Sequence, residues 1–249
     1  MNIGLYQSAS ALSALERWQD AVSQNITSSE TNGYRKRTVN FSTVSAGSIE
    51  VNPKGHIGDE DSFETLFPKV NTGINFASGQ TQTTRNELDV AIQGDGFFEV
   101  QMPDGSRAYT RDGEFRMRRD RVIVTSSGAE VLNDTGNPIT MLPNGKPLVI
   151  NRDGTMVQGD ASLGKISVQK FANPALLTPA AGDYFLAGPG VAPEPVQDPE
   201  LMQGYVEGSN VTSLREMVDL VLISRAYEAN QKIITSIDDQ MGKTLDALG

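Results

Sequence analysis

The chain has no cysteine and a single histidine, His56. Disulfide scaffolds, thiol catalysis and Cys/His zinc sites therefore lose their material, and a serine-histidine relay is left with one candidate base. Long apolar runs are also missing. No stretch of about 18 apolar residues occurs, so no membrane span is expected, and Met1-Asn2-Ile3-Gly4 is not a basic stretch leading into an apolar core, so no cleaved signal peptide is expected. Positive charge is in deficit: 21 basic against 31 acidic residues in 249 give -10, which argues against generic nucleic-acid binding. At 38% hydrophobic residues the chain is lean for one compact globule, and part of it is expected to lack a private core.

What is present is two amphipathic ends. Leu5, Leu12, Leu15, Trp18 (or Gln19), Val22 and Ile26 recur at mostly three- and four-residue spacing, which predicts a helix from Gly4 to about Ile26, enriched in alanine at 9, 11, 14 and 21. Asn32-Gly33 then redirects the chain, because glycine takes positive φ without a Cβ clash. At the other end Leu214, Val218, Leu222, Ala226, Ala229, Ile233, Ile237, Met241, Leu245 and Leu248 repeat in the same way without a proline. Ser213 and Glu216 fit a capping box, so the expected helix runs from about 213 to 247 and is about 50 Å long.

Between the ends the texture is β. Short runs at 89–92, 96–100, 108–110, 114–117, 121–125 and 147–150 are separated by turn signals such as Gly94-Asp95-Gly96, Asp104-Gly105, Asp112-Gly113, Asn133-Asp134, Asn144-Gly145 and Asp153-Gly154. Residues 164–171 alternate and are expected to add one further strand. The fold class is thus α+β, with paired terminal amphipathic helices around a central, mostly antiparallel β domain. The expected division is 1–37 for the first helix and turn, 38–82 for an irregular extended connector, 83–186 for the β domain, 187–212 for a proline-rich connector and 213–249 for the second helix. Residues 1–37 hold four basic and three acidic residues, residues 200–249 four and eight, and the middle thirteen and twenty, so the two ends are the less repulsive combination. If the helices project, the apolar surface left outside their mutual contact needs a partner, and self-assembly is the economical expectation.

Several motifs carry a resemblance. Asn25-Ile26 followed by Thr31-Asn32-Gly33-Tyr34-Arg35-Lys36, then Asn86-Glu87-Leu88-Asp89-Val90-Ala91-Ile92-Gln93-Gly94-Asp95-Gly96-Phe97-Phe98, Tyr109-Thr110-Arg111-Asp112-Gly113-Glu114-Phe115 and Val124-Thr125-Ser126-Ser127-Gly128 stand in order along the chain. Gln203 to Val211 and Ser224-Arg225-Ala226-Tyr227-Glu228-Ala229-Asn230 close the series. Together they resemble the flagellar basal-body rod and hook protein family nearly end to end, with departures at Ser28 to Thr31 and at Glu87, where the family prefers proline. Within the family the length and compact centre look most like the proximal rod branch, with the distal rod branch next. The resemblance implies a structural subunit of the flagellar rod, made in the cytoplasm, exported without a cleaved signal and polymerised in the periplasm through its terminal helices. Its implied partners are copies of itself, other rod proteins and the export apparatus, with no nucleic acid, no cofactor and no enzymatic role.

The residues themselves suit that reading. Gly94 and Gly96 form a tight turn rather than a phosphate loop, and Asp89, Asp95 and Asp112 serve turns rather than a metal. Arg116 and Arg118 are expected to face opposite to Phe115 and Met117, either solvated or against an acidic neighbour. Arg225 and Tyr227 suit a contact between subunits, and His56 a solvated loop. A transient binding module that keeps the stripes for a client is the alternative. A carboxylate enzyme lacks a convergent nucleophile, base and positioning group.

Overall fold

The computed structural model describes residues 3–50, 62–143, 145–180 and 182–246. His56 and Leu248 lie outside them, as does the side chain of Leu245. The fold is α+β and divides into two compact units, one made of residues 1–27, 37–73 and 212–249, the other of 28–36 and 74–211.

The helical unit contains α1 (Ile3–Thr27) and α2 (Ser213–Asp246), with strands β1 (Arg37–Glu50) and β2 (Ser62–Ile74) paired as a two-stranded sheet. The C-terminal end of α1 meets the N-terminal end of α2. Leu15, Val22 and Ile223 are buried there, packed with Trp18, Ile26, Leu220, Ala226 and Tyr227. Leu12 is half-buried, while Leu5 is at the margin of exposure.

On α2 the buried line differs from the expected one. Glu216, Leu220, Ile223 and Tyr227 turn toward α1, whereas Leu214, Val218 and Leu222 are 74%, 54% and 49% exposed. Ile233 and Met241 also lie outward, Ile237 is half-buried, and Arg225 is exposed without an ion pair to Glu228. The helix carries apolar residues on two opposite faces, and a polar clamp selects between them. Asn25 Nδ2 donates to Glu216 Oε2 at 2.8 Å and to the Arg37 carbonyl at 2.9 Å, and Asn25 Oδ1 accepts from Arg37 N at 2.8 Å. The Thr212 carbonyl accepts from Arg215 N and Glu216 N, which places the cap at Thr212, one residue before the expected Ser213.

Within the connector expected at 38–82, the described residues 38–50 and 62–74 form strands rather than irregular chain. Thr38, Val39, Phe41, Thr43 and Val44 give β1 its β-branched and aromatic content. Trp18 meets Phe41 edge-on at 5.5 Å, and Ser10 Oγ donates to the Pro68 carbonyl at 3.1 Å, so the ribbon packs on α1.

The sheet unit begins with β3 (Thr81–Thr83), β4 (Val90–Gln93), β5 (Phe97–Gln101), β6 (Arg107–Thr110), β7 (Phe115–Met117), β8 (Ile123–Thr125) and β9 (Glu130–Val131). It continues with β10 (Leu148–Ile150), β11 (Thr155–Gln158), β12 (Ala161–Lys165), β13 (Val168–Lys170), β14 (Thr178–Pro179), β15 (Tyr184–Leu186), β16 (Glu194–Pro195), β17 (Glu200–Gln203) and β18 (Tyr205–Glu207). The largest sheet runs β14-β15-β6-β5-β9-β8-β7, with a branch from β5 through β13 to β16, and every pairing is antiparallel. Period-two alternation sends Phe98 into one core with Val100, Phe115, Val131 and Met156, and Phe97 into a second with Tyr109, Phe171, Leu177 and Phe185.

Two expectations fail here. The run 164–171 is not one strand, because Gly164 takes φ +102 and Ile166 bridges Asn133, which ends β12 before β13 begins. Residues 187–212 are not only a connector, since β17 pairs β4 and β18 pairs β3. On β7 Phe115 is buried, while Arg116 and Met117 are exposed.

Replacing Asn25 by alanine removes three hydrogen bonds from a buried site and is expected to cost about 2 to 4 kcal/mol. Thermal melts followed by circular dichroism at the helical band should register that loss, and an unchanged melt would remove the clamp from this account.

Candidate functional site

Three separated stretches converge inside the sheet unit on one carboxylate. Glu207, at the end of β18, is 2% exposed. Its Oε1 lies 2.8 Å from Arg35 Nη1 and accepts from Gly79 N at 2.8 Å, its Oε2 accepts from Arg111 Nη1 at 3.1 Å, and its backbone carbonyl accepts from Gly33 N at 2.7 Å. Arg111 Nη1 also donates to the Ile92 carbonyl, Nη2 donates to the Gly94 carbonyl at 2.6 Å, and the guanidinium stands 5.4 Å over the Phe97 ring. One glutamate thus faces two buried arginines.

Local sequence sets this up. Gly33 takes φ +72, and a Cβ there would sit 2.1 Å from Asp112 N, so only glycine lets the two backbones meet. Gly113 is equally closed, with the Val90 carbonyl 1.7 Å from where a Cβ would stand. Asn210 closes the other side of the loop. Its Oδ1 accepts from Lys36 N at 2.7 Å, and its Nδ2 donates to the carbonyls of Asn75 and Ala77.

The electrostatics are those of charges kept from water. Burial lowers the pKa of Arg111, which nearby Arg35 reinforces and Glu207 and Asp95 oppose. The Arg35 pair with Glu207 is an ion pair of poor hydrogen-bond angle, since its guanidinium nitrogens find no hydrogen-bond acceptor among the described residues. Charge neutralisation, more than hydrogen bonding, holds Arg35 in place.

A second polar group adjoins the first. Asp112 N donates to Thr110 Oγ1, which donates to Asp183 Oδ2 at 2.6 Å, while the Asp112 carboxylate accepts from Glu114 N and Ser126 Oγ. Burial pushes Asp112 up from 3.8 to about 7, against the pull of the Glu114 amide and with a further push from Asp183, and burial raises Asp183 as well.

Most motif residues singled out from the sequence stand in or around this junction. Asn32 donates to Glu114 Oε2 at 3.1 Å, Tyr34 is buried, and Thr110, Arg111 and Gly113 line it. Gly94 and Gly96 take φ +91 and +136 at the turn into β5, while Phe97, Phe98 and Phe115 fill the cores. Asn86 donates to Asp89 Oδ1 at 2.8 Å, and Leu88 packs on the larger core. Sequence reasoning did not single out Glu207, Arg35, Asn210, Asp112 or Asp183 as a group. The available signal was a glutamate between Val206 and Gly208, where an apolar residue is ordinary. Among the described residues no group of three acidic or imidazole side chains could hold a metal ion.

Glu207→Gln leaves two buried guanidinium groups facing a neutral amide, and a loss of about 3 to 5 kcal/mol in urea unfolding is expected. Asp112 gives a pH signature. Its folded pKa lies above its unfolded one, so the folded state binds the extra proton between about pH 4 and 7, and this contribution is full below that window and lost as the pH rises through it. Asp112→Asn should flatten the fall in stability between about pH 4 and 7; a variant whose curve parallels the parent would refute the assignment.

Comparison with known proteins places this geometry in a family. Residues 91–158 match the model described as "Flagellar hook protein FlgE/F/G D1 domain" and residues 202–247 that described as "Flagellar basal body rod FlgEFG protein C-terminal". The chain is 31% identical to the flagellar basal-body rod protein FlgF of Caulobacter vibrioides over 251 positions, covering 100% of this chain and 99% of the relative. It is 32% identical to FlgG of Borreliella burgdorferi over 257 positions, covering 96% of each, and 31% identical to FlgF of Mesorhizobium japonicum, covering 100% and 99%. Identity this even across two named groups, along the full chain, makes it a member of the flagellar basal-body rod protein family, FlgF- and FlgG-like.

Proposed function

We propose that this chain is a structural subunit of the flagellar rod, of the FlgF-like proximal kind, which polymerises in the periplasm with copies of itself and with other rod proteins through α1 and α2. The observation that carries the reading is the second stripe of α2. Leu214, Met217, Val218, Val221 and Leu222 are each about half or more exposed and lie on neighbouring turns, while the opposite face is spent on α1. Covering a large aliphatic side chain fully is worth about 1.5 to 3 kcal/mol, so a half-covered set of five leaves several kcal/mol for a neighbour to supply. Arg225, exposed on the same helix, and Tyr227 at its margin add bidentate and amphipathic contact chemistry.

What supports the FlgF-like reading is coverage: alignments to FlgF of Caulobacter vibrioides and Mesorhizobium japonicum take in 100% of the chain, and that to FlgG of Borreliella burgdorferi 96%. Delivery by the flagellar export apparatus belongs to the same proposal, and among the described residues no helix is long and apolar enough to cross a membrane.

The doubly substituted Val218→Asp, Leu222→Asp protein should keep its circular dichroism spectrum yet fail to form sedimenting polymer and fail to enter basal bodies. Incorporation at the parental level would defeat the terminal-helix reading. Localising the tagged subunit along isolated rods separates the proximal position from the distal one.

A further inference from the structure

Two edges of the sheet unit, on different branches of one sheet, carry exposed charge of opposite sign. The first is the β7–β8 hairpin. Its turn is closed by Arg118 N donating to the Val122 carbonyl and Arg121 N to the Arg118 carbonyl, both at 2.9 Å. Arg118 stiffens it further, donating to Asp120 and to Glu130 at 2.7 Å. Two guanidinium groups at the tip, Arg119 and Arg121, are exposed and form no ion pair among the described residues. Arg121 holds φ +70, a region where glycine or asparagine is the ordinary occupant and an arginine is strained. Beside them β7 pairs only with β8, and Met117 on it is 52% exposed.

The second edge is acidic. β16 pairs only with β13, and Glu194 on it, Asp198 after it and Glu200 at the start of β17 are exposed. Their internal partners are weak: Lys170 Nζ is 3.5 Å from Glu194 and Lys165 Nζ 4.0 Å from Asp198, the latter carboxylate being 96% exposed. No ion pair among the described residues joins this edge to the hairpin. The hairpin and β16 end separate branches from β5, and among the described residues no ion pair satisfies the arginine tip from the acidic segment within one molecule.

We infer that neighbouring copies dock head to tail across these edges, with Arg119 and Arg121 of one copy set against the Glu194, Asp198 and Glu200 segment of the next. The inference rests on the self-assembly proposed above and names a contact separate from the helices. A second copy is the occupant because the same chain supplies both signs of charge on surfaces that do not coincide. Such a heterologous contact does not close on itself as a two-fold pair does, and repeated it adds copies into a ring or an open polymer. The chain carries a net charge of -10, so a basic tip is attracted to an approaching copy rather than repelled by it.

The test is a charge swap in the full-length protein, read as the critical concentration for sedimenting polymer at low and high salt. Arg119→Glu with Arg121→Glu should raise it about tenfold at low salt, and Glu194→Lys with Asp198→Lys and Glu200→Lys should do the same. An equimolar mixture of the two variants should recover most of the loss, because in an alternating polymer of the two every contact again joins opposite charges. Parental assembly by either variant, or a mixture no better than its components, overturns the inference while leaving the helix-mediated reading standing. Amorphous aggregation of the arginine variant would assign Arg119 and Arg121 to guarding a strand edge and also overturn it. A parent that stays monomeric removes both proposals. Val218→Asp with Leu222→Asp fails at the helices alone, and its weak association by cross-linking should still depend on the swapped charges.

Discussion

A carboxylate removed from water is tolerable only if positive charge goes with it, and the sheet unit is arranged around that constraint at Glu207. Its two oxygens face Arg35 and Arg111, which come from a loop before the first sheet-unit strand and from the end of β6. Because each arginine is itself buried, neither can move without leaving charge uncompensated. The backbone follows the charges. Gly33, Gly79 and Gly113 have no side chain where the surrounding chain passes too close for one, and Asn210 fastens the loop on its far side.

In the helical unit a smaller polar device has a similar effect. α2 offers two apolar stripes that differ little in content, and hydrophobicity alone does not choose between them. Asn25 does, by reaching Glu216 and both backbone groups of Arg37. Once Glu216 is turned inward, Leu220, Ile223 and Tyr227 go with it and Leu214, Val218 and Leu222 are left outside. The direction in which the helix is sticky is therefore decided by a hydrogen-bonded amide rather than by its leucines.

The length and ends of both helices were legible in the sequence, because three- and four-residue spacing and the absence of proline act locally. So were most short strands, whose glycine and aspartate turns announce them. What was not legible depends on contacts far apart in the chain. Spacing could not tell the stripe of Leu222 from that of Ile223, since a polar residue in another helix settles it. The strands at 37–50 and 62–74 were hidden by the glycines and prolines scattered near them. Gly33, Arg111 and Gly113 were recognisable as motif residues, but Glu207 reads as one acid among many until its two partners are seen beside it.

The junction also has a temporal side. Lys36 and Asn210, which bond directly, are separated by 174 positions, and Glu207 lies almost as far from Arg35. A ribosome releases these partners in order, so the early loop waits, with its arginine solvated, until nearly the last fifth of the polypeptide has emerged. Until then the sheet unit lacks both the strand that pairs with Thr81–Thr83 and the anion that lets Arg35 and Arg111 leave water. Contacts of this sequence separation make closing the junction a long-range step, whose loop-closure entropy is met before its charges reward it.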